Sequence, residues 1–293
     1  MPLSRNNKLK GNYTPPGDKS ISHRIIILGS QTVGQSTISN LLESEDVLNT
    51  VSVMKQLGSN IKKKSGKYII FGLPPGGLFT PEKKLDFGNS GTSIRLITGL
   101  ISSNNIKAVL VGDKSLSSRP MKRVTEHLKR IGAIFILKKD NFLPMTINGS
   151  PNPVPLNYEI LIPSAQIKSA VMLSALNTLG KVKIKEFAST RDHTERMLKT
   201  MNYDISFKEK KPHRFITMSN KRELKPLKYK VAGDPSSAAF MITAASLKVG
   251  SKIKVKDMLY NPTRIGFLKT LKRMGANIEI KNKRIVHNEI IAD

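Results

Sequence analysis

The sequence predicts an α/β fold with mixed sheets, assembled from four copies of a unit of about 70 residues. Three periodic markers carry this prediction. The first is an apolar helix end followed by a residue that tolerates a left-handed turn. It occurs as Leu57-Gly58, Ile131-Gly132, Met201-Asn202 and Met274-Gly275, at intervals of 74, 70 and 73 residues. The second is a run of small residues opening an apolar helix, at Ser20-Ile21-Ser22, Ser90-Gly91-Thr92-Ser93, Ser164-Ala165-Gln166 and Ser236-Ser237. The third is a short alternating strand, at Ser36-Thr37-Ile38, Ala108-Val109-Leu110, Lys181-Val182-Lys183-Ile184 and Lys252-Ile253-Lys254-Val255.

Each unit therefore reads as helix, strand, loop, helix, turn, strand. In the first, the helix opened by Ser20 leads to the strand at Thr37, a second helix ends at Leu57, and a strand begins at Ile61. The second unit repeats this from Ser90, with Val124, Leu128 and Ile131 spaced as one helix face and a strand from Ile134. The third runs from Ser164 through Met201 to a strand at Ile205. The fourth runs from Ser236, with Leu268, Leu271 and Met274 as its apolar helix face and a strand from Ile278. Arg24, Arg95, Lys168 and Met241 occupy equivalent places, 71, 73 and 73 residues apart, so three copies put a cation one turn inside the helix. Units that cannot close a core alone pack around one another, and three make a lobe. The expectation is a complete three-repeat lobe over residues 19–229 and a partial second lobe from 1–18 with 230–293, which the chain leaves unfinished at Asn288-Glu289-Ile290-Ile291-Ala292-Asp293.

Composition narrows the chemistry. The 293 residues contain no Cys, which excludes disulfides, thiolate metal sites and a cysteine nucleophile. No apolar signal core follows Met1, and the apolar stretch from Ala238 to Leu247 is too short to span a bilayer, so the chain is read as cytoplasmic with no membrane partner. The formal charge of +28 invites a nucleic-acid partner, but the lysines are spread along the chain in short runs such as Lys62-Lys63-Lys64 and Lys208-Glu209-Lys210-Lys211. Aromatic residues, at 5%, are too sparse to interleave as base-stacking platforms. The charge is read as a solvated Lys-rich surface that attracts small anionic molecules rather than nucleic acid. The five His residues show no metal-ligand spacing, and Gly88 to Thr92 lacks the Gly-Lys-Ser/Thr ending of a P-loop.

The segment Pro16-Gly17-Asp18-Lys19-Ser20-Ile21-Ser22-His23-Arg24 carries the clearest chemistry. Free backbone N–H groups and the positive end of a helix dipole favour phosphate or carboxylate, and Lys19 and Arg24 add formal charge. The competing reading makes Ser20 or Ser22 a plain N-cap and leaves the cations in solvent.

This segment, with Gly88-Asn89-Ser90-Gly91-Thr92-Ser93-Ile94-Arg95, Ser115-Leu116-Ser117-Ser118-Arg119-Pro120-Met121, Pro163-Ser164-Ala165-Gln166-Ile167-Lys168-Ser169-Ala170, Arg191-Asp192-His193-Thr194-Glu195 and Gly233-Asp234-Pro235-Ser236-Ser237-Ala238, resembles the 5-enolpyruvylshikimate-3-phosphate synthase family. The resemblance runs from about Pro15 to the last residue with the motifs in family order. It implies enolpyruvyl-transferase-like lobes, a monomer, and transfer of the enolpyruvyl group of phosphoenolpyruvate to the 5-hydroxyl of shikimate 3-phosphate. It implies no metal and no organic cofactor.

Site residues follow from the resemblance position by position. Lys19 resembles the catalytic lysine between the two substrates. Lys19, Ser20, Arg24, Ser164, Ala165, Gln166 and Arg191 resemble the shikimate 3-phosphate contacts, and Lys19, Gly91, Thr92, Arg119 and Gln166 those to phosphoenolpyruvate. Ser164 and Gln166 read alternatively as an N-cap and a core-facing amide, Arg191 as a surface cation, and Asp234 as an accessory acid or a helix cap. Arg119 precedes an expected Pro-started helix. With Gly at 91 the resemblance implies that glyphosate competes for the phosphoenolpyruvate pocket, where backbone comes close. Family members are about half as long again and draw a second-lobe acid and further cations from beyond the equivalent of Asp293, so little or no turnover is expected of this polypeptide alone. Two other readings stand beside this one: a basic polyanion-binding module, and the related UDP-N-acetylglucosamine enolpyruvyl transferase, which commonly uses a loop cysteine absent here. An RNA-phosphate cyclase, which uses an adenylated histidine, finds no matching segment.

Overall fold

The computed structural model describes residues 8–187, 190–210, 212–219 and 223–293. Residues 1–7 of the expected second lobe and Lys211 of the lysine run lie outside the described residues. In chain order the elements are β1 (Lys10–Tyr13), α1 (Lys19–Gly29), β2 (Gln35–Ser39), α2 (Glu45–Gln56), β3 (Asn60–Lys64) and β4 (Lys67–Phe71). There follow β5 (Leu85–Asp86), α3 (Gly91–Ser102), β6 (Lys107–Val111), α4 (Lys114–Ser117), α5 (Lys122–Lys129), β7 (Ile134–Lys138) and β8 (Phe142–Asn148). The third set is β9 (Asn157–Ile160), α6 (Ala165–Ser174), β10 (Lys181–Glu186), α7 (His193–Thr200), β11 (Asp204–Lys210) and β12 (His213–Ser219). The last comprises β13 (Lys228–Lys230), α8 (Pro235–Leu247), β14 (Lys252–Val255), β15 (Met258–Leu259), α9 (Gly266–Arg273), β16 (Arg284–Val286) and β17 (Glu289–Ala292).

The period is visible in the geometry. The helices at the head of each unit are capped by Asp18, Ser90, Ser164 and Asp234, whose side-chain oxygens accept from backbone N–H groups of the first turn. Asp18, and neither Ser20 nor Ser22, caps α1: its Oδ1 accepts from Ile21 N at 2.8 Å, leaving Lys19 at the first helical position. The expected turn residues Gly58, Gly132, Asn202 and Gly275 all have positive φ, between 63° and 105°, the left-handed conformation that ends a helix.

Three four-stranded sheets share one topology: β13-β2-β4-β3, β5-β6-β8-β7 and β9-β10-β12-β11. In each, a parallel edge strand pairs with the central strand, which pairs antiparallel with the second arm of a hairpin. The sheets are therefore mixed, as predicted. The pattern of one strand per helix pair omits the hairpin's return strand, which follows the first arm after two residues in β3–β4 and after three in β7–β8. Ser65-Gly66 and Lys139-Asp140 adopt positive φ at both residues, the twist that joins hairpin arms.

Two strands come from afar. β13 pairs with β2 in the register Tyr229↔Ile38, and β1 pairs parallel with β14 in the register Gly11↔Ile253. The fourth unit departs from the pattern: residues around Ile278 form no strand, and the hairpin lies later, at β16 and β17, beside β15. A reciprocal pair of backbone bonds, Lys281 with Asp293 at 2.8 and 2.9 Å, ties the end of that stretch to the last residue of the sequence.

The helices α1, α3 and α6 are nearly fully buried and belong to one large apolar core. Gly99 lets α3 and α6 touch backbone to backbone, since a Cβ there would lie 2.6 Å from the Cα of Ala170. In contrast, α8 buries only Pro235, Ala238 and Ile242, and leaves Phe240 and Leu247 about 80% exposed, at 80% and 81%. A smaller apolar cluster of Ala238, Ile242, Met258, Ile265 and Leu268 sits under it. No helix among the described residues is long and apolar enough to cross a membrane.

Candidate active site

The three buried helices bring their N-terminal halves together. Gln166 Nε2, in the first turn of α6, donates to Thr92 Oγ1 in the first turn of α3 at 3.2 Å. Arg24 Nη2 on α1 donates to Ser169 Oγ on α6 at 3.0 Å. Thr50 Oγ1 on α2 lies 2.7 Å from His23 Nδ1 on α1 and donates to Ser93 Oγ on α3 at 2.8 Å. Three positive dipole ends and their unspent N–H groups thus converge, which is what an anionic ligand requires.

Lys19 and its neighbours form the first group of site residues. Lys19 Nζ is ion-paired with Asp46 at the start of α2, and the lysine side chain is 47% exposed against 21% for the aspartate. Asp46 was missed in the sequence because nothing in its motif marks it; the fold alone brings α2 beside α1. Arg24 is buried, and its guanidinium donates from Nε to Thr194 Oγ1 at 2.8 Å, from Nη1 to Ser20 O at 2.9 Å and from Nη2 to Ser169 Oγ. Burial lowers its pKa to about 10, so it stays a cation at neutral pH. Arg191 lies just before α7 and makes no hydrogen bond among the described residues. Its pKa is lowered first by burial and then by Arg264, with Asp18 and Asp234 opposing.

Arg264, also missed, ties this group to the fourth unit. Its Nη1 donates to Asp18 Oδ2 at 2.6 Å and its Nη2 to Asp234 Oδ1 at 3.1 Å, so one buried guanidinium holds the caps of α1 and α8. The two chain crossings run side by side there, with Asp18 N bonded to Ala232 O and Asp234 N to Pro16 O, both at 2.8 Å. Asp234 is accordingly a helix cap and an ion-pair partner in one. Next to it, His193 Nδ1 meets Glu289 Oε1 at 2.7 Å, and Asn261 Nδ2 donates to both Asp192 and Glu289.

The second group gathers at α3 and α6. A Cβ on Gly91 would stand 2.8 Å from Arg95 Nη1 and 3.0 Å from Arg119 Nη1, so a side chain there would have to push aside the ends of two flexible arginines. Arg119 donates to Asn89 and to Ser115 Oγ, the latter at 3.1 Å, and Arg95 Nη1 donates to Gly91 O at 2.8 Å. Arg95, Arg123, Ser164 and Gln166 line one pocket. Burial and then the charges of Arg119 and Arg123 hold the Arg95 pKa down, and among the described residues none of these three arginines is in an ion pair. Such uncompensated like charges favour an anion.

Ser164 does cap α6, accepting from Ile167 N at 3.4 Å, but Gln166 points to Thr92 and away from the core. Arg119 precedes an intervening loop, because α5 begins at Lys122 after Met121 and not at Pro120. Lys168, the third cation of the repeat, is fully buried and does not face the others' cleft.

The fold and site together define a repeat-built α/β protein in which helix N-termini and cationic side chains gather in one place. Comparison with known proteins makes this specific. The profile of EPSP synthase (3-phosphoshikimate 1-carboxyvinyltransferase) matches residues 3–290, and the chain belongs to that family. It is similar to 3-phosphoshikimate 1-carboxyvinyltransferase of Ruegeria sp. (strain TM1040), 45% identical over all of this chain and 65% of the relative. The corresponding protein of Zymomonas mobilis is 44% identical over 97% of this chain and 63% of the relative. A solved structure of EPSP synthase from Acinetobacter baumannii superposes with a TM-score of 0.90 at 37% identity, covering 99% of this chain and 65% of that one. The chain therefore spans less than two thirds of the length of these proteins. The matches favour neither the polyanion-binding module nor the UDP-N-acetylglucosamine enzyme.

Proposed function

We propose that this chain binds shikimate 3-phosphate and phosphoenolpyruvate and serves transfer of the enolpyruvyl group to the 5-hydroxyl with release of phosphate, in the shikimate pathway leading to chorismate and the aromatic amino acids. The observation that carries the reading is the convergence of the α1, α3 and α6 N-termini with two sets of cations, Lys19, Arg24 and Arg191 on one side and Arg95, Arg119 and Arg123 on the other. Two anions of tetrahedral or planar shape fit that division.

Shikimate 3-phosphate is assigned to Lys19, Ser20, Arg24, Ser164, Ala165, Gln166 and Arg191, and phosphoenolpyruvate to Lys19, Gly91, Thr92, Arg119 and Gln166. In the reaction the 5-hydroxyl oxygen bonds to the phosphoenolpyruvate carbon bearing phosphate, and the methylene gains a proton. The phosphate C–O bond then breaks as the new methyl group returns a proton. Lys19, exchanging Asp46 for substrate, is positioned to carry a proton between the two. Residues 19–229 are read as one lobe and 1–18 with 230–293 as part of another, in a cytoplasmic monomer.

Isothermal titration with shikimate 3-phosphate in moderate salt tests the reading without requiring turnover. Saturable binding is expected, weakened about 10- to 100-fold in Arg24→Ala, the worth of one charge-assisted contact. No saturable binding, with nucleic acid bound instead on a steep salt slope, overturns it.

A further inference from the structure

The third repeat carries a lysine where the first two carry site arginines, yet Lys168 is entirely buried. Its Nζ lies 3.1 Å from Glu186 Oε1 on β10 and 2.8 Å from Glu195 Oε1 on α7, with Arg214 Nη1 on β12 at 3.8 and 3.5 Å from the same oxygens. Two cations and two carboxylates balance there, three of the four fully buried, so the ion pairs are geometrically demanding. The neighbours of this pair in sequence, Ser169 on α6 and Thr194 on α7, form a second rung directly beside it: their hydroxyls are 2.8 Å apart.

Onto that rung Arg24 places one edge of its guanidinium. Nε and Nη2 donate to Thr194 and Ser169 at 2.8 and 3.0 Å, a two-pronged contact to a pair of oxygens of fixed spacing. Ser20 O takes a third donor, which leaves one N–H on each terminal nitrogen. An arginine side chain has several rotatable bonds, and without this seat the guanidinium would have to be ordered at the moment of binding.

We infer that Ser169 and Thr194 are positioning residues that aim Arg24 at its ligand, and that Lys168 with Glu195 is the strut that fixes the spacing of the two hydroxyls. The third repeat thus gives up a site cation in order to orient that of the first. The inference rests on the reading of Arg24 as a shikimate 3-phosphate contact, and its test separates the two.

Thr194→Val removes the oxygen and keeps the shape, Thr194→Ser keeps the oxygen, and Ser169→Ala removes the other member. Thr194→Val and Ser169→Ala are expected to weaken shikimate 3-phosphate binding about tenfold, while Thr194→Ser stays within about threefold of wild type. In an Arg24→Lys background, Thr194→Val should add nothing, because the threonine acts through the arginine. Wild-type affinity in both Thr194→Val and Ser169→Ala, or an undiminished loss in the Arg24→Lys background, overturns the inference. Should wild type bind no shikimate 3-phosphate, the functional reading falls, and hydrogen-exchange protection of the Arg24 Nε–H by NMR decides the rest. Protection lost in Thr194→Val and kept in Thr194→Ser supports the seat; protection that survives Thr194→Val refutes it.

Discussion

His23 is fully buried beside Arg24, and burial first, then the charges of Arg24 and Lys19, lower its pKa to about 3. Its imidazole is neutral in the folded protein, with Nδ1 against Thr50 and Nε2 without a hydrogen-bond partner among the described residues. The unfolded chain takes up a proton near pH 6.5 that the folded chain refuses until about 3. This residue's contribution to stability is therefore complete above 6.5 and declines as pH falls through that window, by about 1.4 kcal/mol per pH unit. Urea unfolding of wild type and His23→Gln between those limits should show the slopes differing by that one proton, whatever the offset between the two curves. Equal slopes would mean that the ring is charged in the fold. His23 lies within the segment that was most legible in the sequence, yet its role was not, because burial depends on α2 crossing over α1. The same holds for the pairing of Asp46 with Lys19 and of Thr194 with Arg24: each partner comes from another element, and no stretch of sequence shows which residues will meet.

At the scale of elements, the close contact of α3 with α6 holds Thr92 against Gln166 at the start of the two helices. Gly99→Ala would drive a methyl group against the backbone of Ala170, which has no rotamer to move aside. The expected cost is about 1–3 kcal/mol, seen as a lowered denaturation midpoint, and the Thr92–Gln166 hydrogen bond should weaken with it. A neutral Gly99→Ala would mean that the helices separate freely. Element order was largely readable, because helix caps, left-handed turns and alternating strands are local and recur with the period. Three features were not. The return strand of each hairpin offers no signal apart from that of its partner, the strand expected at Ile278 gave way to β16, and the edge strand β13 is recruited from outside the first unit. Tertiary pairing decides each of these, and a window of sequence does not contain it.

For the molecule as a whole, Arg264 is the point where the fourth unit meets the first. Removing it in Arg264→Ala strands the buried carboxylates of Asp18 and Asp234 close together, and a cost of about 3–5 kcal/mol is expected in thermal or denaturant unfolding. Adding Asp234→Asn should recover part of the loss by removing one of the two unpaired charges, an interaction that a double-mutant cycle reads directly. Strict additivity of the two changes would show that Arg264 does not couple the caps. Because Asp18 opens the helix that begins with Lys19, shikimate 3-phosphate affinity should fall in the single variant and return in part in the double.

The recruited edge strand also governs how the chain is made. Leu227 N reaches Ser36 Oγ across 191 residues, and β13 completes a sheet whose other three strands are finished by Phe71. On the ribosome, β2 must wait with one edge open while the second and third units are synthesised, since those units fill the interval between the two partners. Open strand edges template wrong pairings, so of the three four-stranded sheets the first to be begun is the last to be sealed and the one most in need of a chaperone's cover.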